Sequence, residues 1–387
     1  MKRIVHYLLL AAVLLGLPLL CCWIGGYDDI LTGVRQFPPR TEDWGFHPEK
    51  LWNVRRPFNW WWFSAMSLFT CGCLYPLVRR GVMAVRRRRV EVRGRHVFPW
   101  WGYAGLALLA VSWVITWNRF EWFRRYQILL SYFPVWMGYI VTVNALCKWR
   151  GGKCPMTEHP FAYAATFPVS SLFWWFFEYL NRFVWNWYYI GIAELSASEY
   201  TVYATLCFAS VLPAVYATAE FLATFEFFRD GNYDGMSWRP DVRSSVSRLV
   251  LAMLSVVGLA GIVFFPDCTY FLLWISPLMV FVSIQVLLKE PCILDRLRNG
   301  SWGLVFRFEV AALICGMCWE TWNYYAMAKW VYAVPWVHGW QIWEMPIIGF
   351  AGYLPFGVEC AAVTYWLYDA LNVEPGEGFE PPCPCGS

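Results

Sequence analysis

The chain of 387 residues is 59% hydrophobic and 20% aromatic, contains 27 Trp, and has a formal net charge of +4. This composition argues against an ordinary soluble domain, and its repeated apolar stretches of about 20 residues are typical of transmembrane helices. The 14 cysteines are scattered, many of them inside apolar stretches, so the sequence predicts neither a disulfide framework nor a metal site.

Taken in order, the apolar stretches predict an all-α integral membrane protein with about ten transmembrane helices. They cover residues 4–24, 57–78, 97–117, 126–147, 161–187, 200–227, 248–265, 268–288, 303–326 and 345–368. The first stretch is long for a signal peptide and is not followed by a small-residue cleavage site, so we expect a helix that is retained.

The connections between these stretches predict an orientation. With the N-terminus in the cytoplasm, the cytoplasmic segments hold most of the Lys and Arg residues, including the run Arg86–Arg89. We therefore expect a multi-pass protein with both termini cytoplasmic, as in a bacterial inner membrane. The basic run is better explained by anionic lipid headgroups than by nucleic acid.

Short repeated patterns divide the chain further. Asn118-Arg-Phe-Glu-Trp122 recurs as Asn181-Arg-Phe-Val-Trp185, and each following helix carries a proline inside its span. These prolines are Pro134 and Pro213; Pro355 follows Asn323-Tyr-Tyr in the same way, and Pro277 belongs to a degenerate copy without the Asn. The sequence predicts two N-terminal helices with a basic loop over residues 1–96, four helical-hairpin repeats over residues 97–370, and a disordered tail over residues 371–387.

Two copies of a Glu-x-x-Asn pattern carry the candidate chemistry. The upstream copy comprises Glu178 and Asn181, followed by Glu220; the downstream copy comprises Glu320 and Asn323, followed by Glu359. Residues three apart share a helix face, so two such faces could meet across a pseudo-two-fold axis. Ionisable residues within membrane segments are costly and therefore mark candidate functional sites.

An acid among aromatic rings predicts a particular chemistry. A carboxylic acid in an apolar site has a raised pKa, so it can hold the proton that a general acid delivers. Aromatic faces then stabilise the cation that protonation creates. The predicted catalytic residues are Glu320, Glu359, Glu178 and Glu220. The predicted substrate-binding residues are Asn181, Asn323, Trp319, Trp322, Tyr324, Tyr179 and Trp175.

A structural role competes with this interpretation. Taken singly, each carboxylate is better explained as structural; Glu178, for example, could pair with Arg182 four residues on. Taken together, the repeated set favours a functional pocket. His338, in the aromatic loop before the last helix, could relay protons to Glu320 or Glu344, although an ordinary interfacial histidine explains it better. The chain has no nucleotide-binding or metalloprotease motif, so we expect no cofactor and no metal.

Part of the chain resembles the integral-membrane lycopene cyclase domain family. The resemblance rests on Trp322-Asn-Tyr324, the run Trp330-Val-Tyr-Ala-Val-Pro335 and Gly352-Tyr-Leu-Pro355-Phe-Gly-Val-Glu359, and extends over residues 160–227 and 303–368. It implies an all-helical enzyme of repeated units in which Glu359 and Glu320 protonate a terminal alkene. The family pattern Pro-x-Glu-Glu is replaced here by Pro355-x-x-x-Glu359.

We therefore expect a membrane-embedded enzyme that acts on an isoprenoid or another apolar lipid, most plausibly a carotenoid-cyclase-like isomerase. Two other classes stay open: a non-enzymatic pigment- or lipid-binding subunit of a membrane complex, and a proton-coupled transporter. The expected partners are membrane lipids and, for the second class, other membrane subunits; nucleic acid is not expected.

Overall fold

The computed structural model describes residues 2–27, 56–87, 96–126, 132–192 and 194–373, and these are mostly helical. The longer helices are α1 (Lys2–Gly25), α2 (Trp60–Arg87), α3 (Trp100–Asn118), α4 (Phe133–Gly151), α5 (Pro160–Val184), α6 (Ala197–Phe208), α7 (Val211–Ala223), α8 (Ser245–Phe264), α9 (Ser276–Leu287), α10 (Gly303–Tyr324) and α11 (Tyr353–Ala370). The strands are β1 (Trp187–Ile190), β2 (Lys329–Tyr332), β3 (Gln341–Ile342) and β4 (Met345–Pro346). Half of the run Arg86–Arg89 and almost all of the predicted tail lie outside the described residues.

Six helical segments of the described chain are long and apolar enough to cross a membrane. They are Tyr7–Gly25, Trp60–Arg86, Trp100–Asn118, Ala197–Ala223, Ser245–Phe264 and Ile347–Ala370. The bent pair Pro266–Trp274 and Ser276–Leu287 makes a seventh if it is counted as one span. The protein is thus an all-helical, multi-pass membrane protein by length and composition.

The remaining predicted spans correspond to α4, α5 and α10, which do form as helices. Each carries charged side chains among its apolar residues, such as Glu178 in α5 and both Arg307 and Glu320 in α10. Glu178, Arg307 and Glu320 are buried within the protein, whereas Lys148 and Arg150 of α4 lie near its C-terminal end and are only partly buried. Burial among other helices explains why α5 and α10 are less apolar than a helix that faces lipid on all sides.

The core of the protein is formed by α4, α5, α7, α10 and α11. α10 packs against both α7 and α11, and α7 also packs against α4 and α5. By contrast, only a small share of the apolar window of α1, α2 or α3 is buried within the described chain. The three N-terminal helices therefore lie at the periphery of the bundle.

The predicted span at 200–227 is broken into α6 and α7 next to Pro213. Backbone groups at the break are satisfied by side chains of α5. The hydroxyl of Ser170 donates to the carbonyl of Phe208 at 2.6 Å and accepts from the N–H of Leu212 at 3.0 Å. The hydroxyl of Ser171 donates to the carbonyl of Thr205 at 2.8 Å. A broken helix can persist in a membrane when neighbouring helices satisfy the freed groups in this way.

The closest approach of α10 and α11 depends on Gly357. A Cβ atom at this position would collide with the carbonyl oxygen of Phe308 in the facing helix. We expect Gly357→Ala to lower the free energy of unfolding by about 1–3 kcal/mol, because backbone cannot yield as a flexible side chain does. Unfolding in mild detergent measures this. The control is Gly16→Ala in α1, where a Cβ meets nothing within 4 Å, and equal losses in both variants would contradict the explanation.

β1 and β2 form a short antiparallel ladder that links the two halves of the chain. Trp187 lies opposite Tyr332, Tyr188 opposite Val331, and Tyr189 opposite Trp330. Aromatic and β-branched residues favour such extended segments. These three pairs are related by an approximate two-fold axis through the Tyr188–Val331 pair. The rotation exchanges Trp187 with Trp330 and Tyr189 with Tyr332.

Candidate functional site

Glu178, near the C-terminal end of α5, is buried and accepts three hydrogen bonds on one oxygen. Its Oε1 accepts from Nε1 of Trp174 at 3.1 Å, from Nε1 of Trp187 at 3.0 Å and from the hydroxyl of Tyr189 at 2.6 Å. Two of these donors belong to β1. The carboxyl group therefore fixes the strand that follows its own helix.

Asn181, one turn later, holds the backbone of the same strand. Its Nδ2 donates to the carbonyl of Trp187 at 2.6 Å, and its Oδ1 accepts from the N–H groups of Asn186 at 2.8 Å and Trp187 at 3.3 Å. The amide thus uses both its donor and its acceptor to turn the chain from α5 into β1. Its contacts are those of a structural residue rather than of the predicted substrate ligand.

The downstream copy repeats this arrangement around Glu320. Oε1 of Glu320 accepts from the hydroxyl of Tyr332 at 2.6 Å, from the hydroxyl of Tyr353 at 3.2 Å and from Nε1 of Trp330 at 3.3 Å. Asn323 donates to the carbonyl of Trp330 at 2.8 Å and accepts from its N–H at 2.9 Å. Each copy is therefore a Glu-x-x-Asn helix end that holds a Trp-x-Tyr strand.

The ladder brings the strand donors of both copies to one face. Side chains alternate along a strand, so Trp187 and Tyr189 share a face with Trp330 and Tyr332. Tyr188 lies on the other face, in a small cluster with Val331 and Ala333. One face of the ladder therefore supplies two donors to each carboxyl group.

Aromatic rings also join the two copies inside the bundle. The ring centroid of Trp174, whose indole donates to Glu178, lies 6.3 Å from that of Trp319. Trp319 stacks on Tyr353 at 6.0 Å, and Tyr353 donates to Glu320. Phe356 packs edge-on against both Trp174 and Trp319. The space between the two carboxyl groups is thus filled by aromatic faces.

Two hydrophobic clusters meet beside these rings. The larger one is the core of the bundle, and the smaller one surrounds α6 and includes Tyr200 and Phe208. Tyr132, Trp174 and Tyr189 pack against both clusters and are only partly buried. We call these three residues the aromatic seam.

The aromatic seam reaches both carboxyl groups. Trp174 and Tyr189 donate to Glu178, and the ring of Tyr132 lies 5.6 Å from that of Trp330, which donates to Glu320. The aromatic seam therefore connects the surroundings of the two carboxyl groups.

The two carboxyl groups differ from each other in one respect. Glu320 is completely buried, and within the described part of the chain its Oε2 has no hydrogen-bond partner. All three donors point to its other oxygen. Leaving a carboxylate oxygen buried without a partner is costly, whereas a protonated carboxyl group is easier to bury. The surroundings of Glu320 therefore favour a group that holds a proton on Oε2.

Comparison of the chain with protein-family models, with curated proteins and with solved structures finds no match in any of the three.

The other two predicted catalytic carboxyl groups lie elsewhere. Oε1 of Glu359, in α11, accepts from the N–H of Leu278 at the start of α9, so its described hydrogen bond is to neither Glu-x-x-Asn copy. Glu220, in α7, is buried within electrostatic range of Cys147 and Tyr368. The four predicted acids therefore occupy three places rather than one pocket.

The remaining predicted substrate-binding residues also lie in different parts of the protein. Trp319 lies between the two copies, and Trp322 is buried against Trp136 beside it. Trp175 instead donates to the hydroxyl of Thr205 in α6 at 2.9 Å. Tyr179 donates to the carbonyl of Leu15 in α1 at 2.6 Å. The ring of Tyr324 lies 5.6 Å from the ammonium group of Lys329. Of these five, Trp319 lies between the rings that contact the two carboxyl groups, while Trp322 packs against Trp136 and Tyr139 of α4.

Sequence reasoning missed the residues that contact the carboxyl groups directly. They are Trp187, Tyr189, Trp330, Tyr332 and Tyr353. The first four follow a recognisable signal, since a Trp-x-Tyr alternation occurs six or seven residues after each Asn of the pattern. Tyr353 is brought in by the tertiary fold alone.

No metal centre is evident in the described ranges. They contain no group of three or more His, Cys, Asp or Glu side chains placed to hold an ion. The cysteines described, including the pair Cys315 and Cys318, are all free.

His338 lies in the loop between β2 and β3 and is held as a neutral ring. Its Nε2 accepts from the amide of Gln341 at 3.2 Å, and burial lowers its pKa from 6.5 to about 4. The unfolded chain takes up a proton between pH 6.5 and about 4 that the folded protein does not. Stability should therefore be full above pH 6.5 and decline as the pH falls toward 4.

We expect His338→Gln to flatten this decline, measured as thermal unfolding in detergent from pH 7 to 4.5. An equally steep decline in the variant would show that other groups cause it.

Proposed function

We propose that the protein is a membrane-embedded enzyme that acts on an isoprenoid or another apolar lipid by acid-catalysed, cyclase-like chemistry, with Glu320 as the acid. The proposal rests on the difference in hydrogen bonding between the two carboxyl oxygens of Glu320. Oε1 accepts from three donors, while Oε2 is buried without a partner in the described chain.

The three donors orient the acid. Tyr332, Tyr353 and Trp330 hold Oε1 as the carbonyl oxygen, which leaves Oε2 to carry the proton. Protonation of an alkene uses its π electrons to form a C–H bond and leaves a cation on the neighbouring carbon. The aromatic faces of Trp319 and Tyr353 would stabilise that charge, and loss of a proton from the product would restore the acid.

The aromatic seam provides the approach to this acid. Because Glu320 itself is fully buried, the lipid would lie against Tyr132 and displace the rings that cover the carboxyl group. Glu178, which accepts from two residues of β1, is assigned a positioning role for the ladder rather than a role in proton transfer.

The membrane arrangement that we propose retains all ten predicted spans, with both termini in the cytoplasm of a bacterial cell. The four-hairpin organisation and the resemblance to lycopene cyclase domains belong to the same proposal. Cysteine-accessibility labelling at the two ends of α5 and α10 would test whether these two helices cross the bilayer.

The test of function is the identity of the lipid that co-purifies with the protein in mild detergent. Mass spectrometry and absorbance would compare the wild type with Glu320→Gln and with the matched variant Glu178→Gln. We expect a cyclised lipid in the wild type and in Glu178→Gln, and an uncyclised precursor in Glu320→Gln. The same lipid in all three would indicate a binding subunit and contradict the enzymatic proposal.

A proton-coupled transporter is the second candidate, and the bent helix pair favours it. Pro266–Trp274 and α9 meet at an angle of 52°, and the carboxyl group of Glu359 lies at the break. Discontinuous helices with a carboxyl group at the break are typical of transporter binding sites. Solute uptake into proteoliposomes that depends on a proton gradient, and that Glu359→Gln abolishes, would support this function.

A further inference from the structure

At the break between Pro266–Trp274 and α9, two backbone carbonyl groups lack the N–H groups that would bond to them in a continuous helix. Pro277, in the first turn of α9, has no N–H to offer the carbonyl of Leu273. The N–H of Leu278 would donate to the carbonyl of Trp274 in a continuous helix, but here it donates to Oε1 of Glu359 at 2.8 Å. Two consecutive carbonyl groups therefore lose their usual partners at the same break.

Glu359 supplies the cap that α9 lacks. The residue that precedes the helix is Ile275, whose side chain cannot accept a hydrogen bond, so a carboxyl group from α11 takes this role. Glu359 is only 3% exposed, and its Oε2 has no partner in the described chain. One oxygen of this buried carboxyl group therefore accepts no hydrogen bond from the described residues, and it lies next to the break.

The charges at the break favour a small cation. The N-terminus of α9 carries partial positive charge and is already satisfied by Oε1 of Glu359. The short helical turns that precede α9, Pro266–Thr269 and Tyr270–Trp274, end here, and their last carbonyl oxygens carry partial negative charge. A carboxylate oxygen and carbonyl oxygens are hard donors, and one positive charge would neutralise the single carboxylate in this low-dielectric interior.

We propose that the break is a binding site for one monovalent cation, a sodium ion or a proton, held by Oε2 of Glu359 together with the carbonyl oxygens of Leu273 and Trp274. The thiol of Cys360, the next residue in α11, lies within electrostatic range of Glu359. The site goes beyond the enzymatic proposal and does not depend on it, since it involves neither Glu320 nor the aromatic seam.

The test uses the full-length protein purified in mild detergent. Its unfolding midpoint is measured at pH 8 in sodium chloride and in choline chloride of equal ionic strength. A cation that binds only the folded state raises the midpoint, and we expect a rise of about 2 °C or more with sodium. The rise should vanish in Glu359→Gln and persist in the matched variant Glu320→Gln.

A proton in place of sodium gives a different pattern. The midpoint would not respond to sodium, but acidification from pH 8 to 6 in choline chloride would stabilise the wild type relative to Glu359→Gln. In either case Pro277→Ala, which restores a donor for the carbonyl of Leu273 and leaves Glu359 in place, should reduce the response.

Two results would overturn the proposal. One is a wild-type midpoint that responds to neither sodium nor acidification. The other is a response of equal size in the wild type, Glu359→Gln and Pro277→Ala.

Discussion

Asn323→Ala should lower the free energy of unfolding by about 2–4 kcal/mol and release β2 from the end of α10. The Asn323 amide is fully buried and makes two hydrogen bonds to the backbone of Trp330, one to its carbonyl and one to its N–H. Alanine leaves both backbone groups without these partners, and a buried unsatisfied group costs about 1–3 kcal/mol. Asn181→Ala should act in the same way on β1.

The chain provides a matched control in Asn118, which begins the first Asn-Arg-Phe-x-Trp pattern. Within the described residues its amide donates to the carbonyl of Val114 alone, at the exposed end of α3. Asn118→Ala should therefore cost less than about 0.5 kcal/mol. Unfolding in detergent gives the free energies, and hydrogen exchange at the Trp330 amide reports whether β2 is released. Equal losses at positions 118 and 323 would show that the buried amide does not hold the strand.

Glu320→Leu should be the most destabilising single substitution at the site, with a loss of about 3 kcal/mol or more. It leaves the hydroxyl groups of Tyr332 and Tyr353 buried without the acceptor that they share, whereas the indole N–H of Trp330 keeps the hydroxyl of Tyr332 at 2.8 Å. Each such donor costs about 1–3 kcal/mol. Glu320→Gln keeps an acceptor oxygen for all three and should fold, as the functional test requires.

A second substitution separates this explanation from a simple loss of packing. Removing both partners of a buried hydrogen bond is nearly neutral, whereas removing one is costly. Adding Tyr353→Phe to Glu320→Leu should therefore restore part of the lost stability, because the hydroxyl of Tyr353 donates to Glu320. If the double variant is less stable than Glu320→Leu alone, the unsatisfied donors are not the source of the loss.

The sequence predicted the helical architecture well because hydrophobic residues dominate it. Each of the ten predicted stretches contains a helix, and the Glu-x-x-Asn pattern correctly identified two equivalent helix ends. The number of spans was harder to predict, since α5 and α10 carry charged residues that the fold buries between helices. Hydropathy responds to composition and not to the neighbours that surround a helix.

The site was predicted less completely, because its contacts join distant parts of the chain. Glu320 receives a hydrogen bond from Tyr353, and Glu359 receives one from Leu278 in another helix. Helical spacing shows which residues share a face but not what that face meets. Asn181 and Asn323 illustrate the difference: their position was predicted correctly, but their partners are strand backbone.

The strands were not predicted because they are short and follow helices directly. Trp187–Ile190 continues the aromatic sequence of the predicted span 161–187, so its composition does not change where the helix ends. The left-handed conformation of Trp185 ends the helix, and nothing in the residue type signals it. A Trp-x-Tyr alternation after Glu-x-x-Asn is the pattern that would identify such a segment.

The ladder between β1 and β2 makes the two halves of the protein equally sensitive to a change in strand length. If either strand gained or lost one residue, the pairing would shift and its side chains would exchange faces. Trp187 and Tyr189 would leave Glu178, or Trp330 and Tyr332 would leave Glu320, while the partner strand lost its register. Insertions and deletions in these two short segments should therefore be selected against far more strongly than substitutions, and their lengths should change only together.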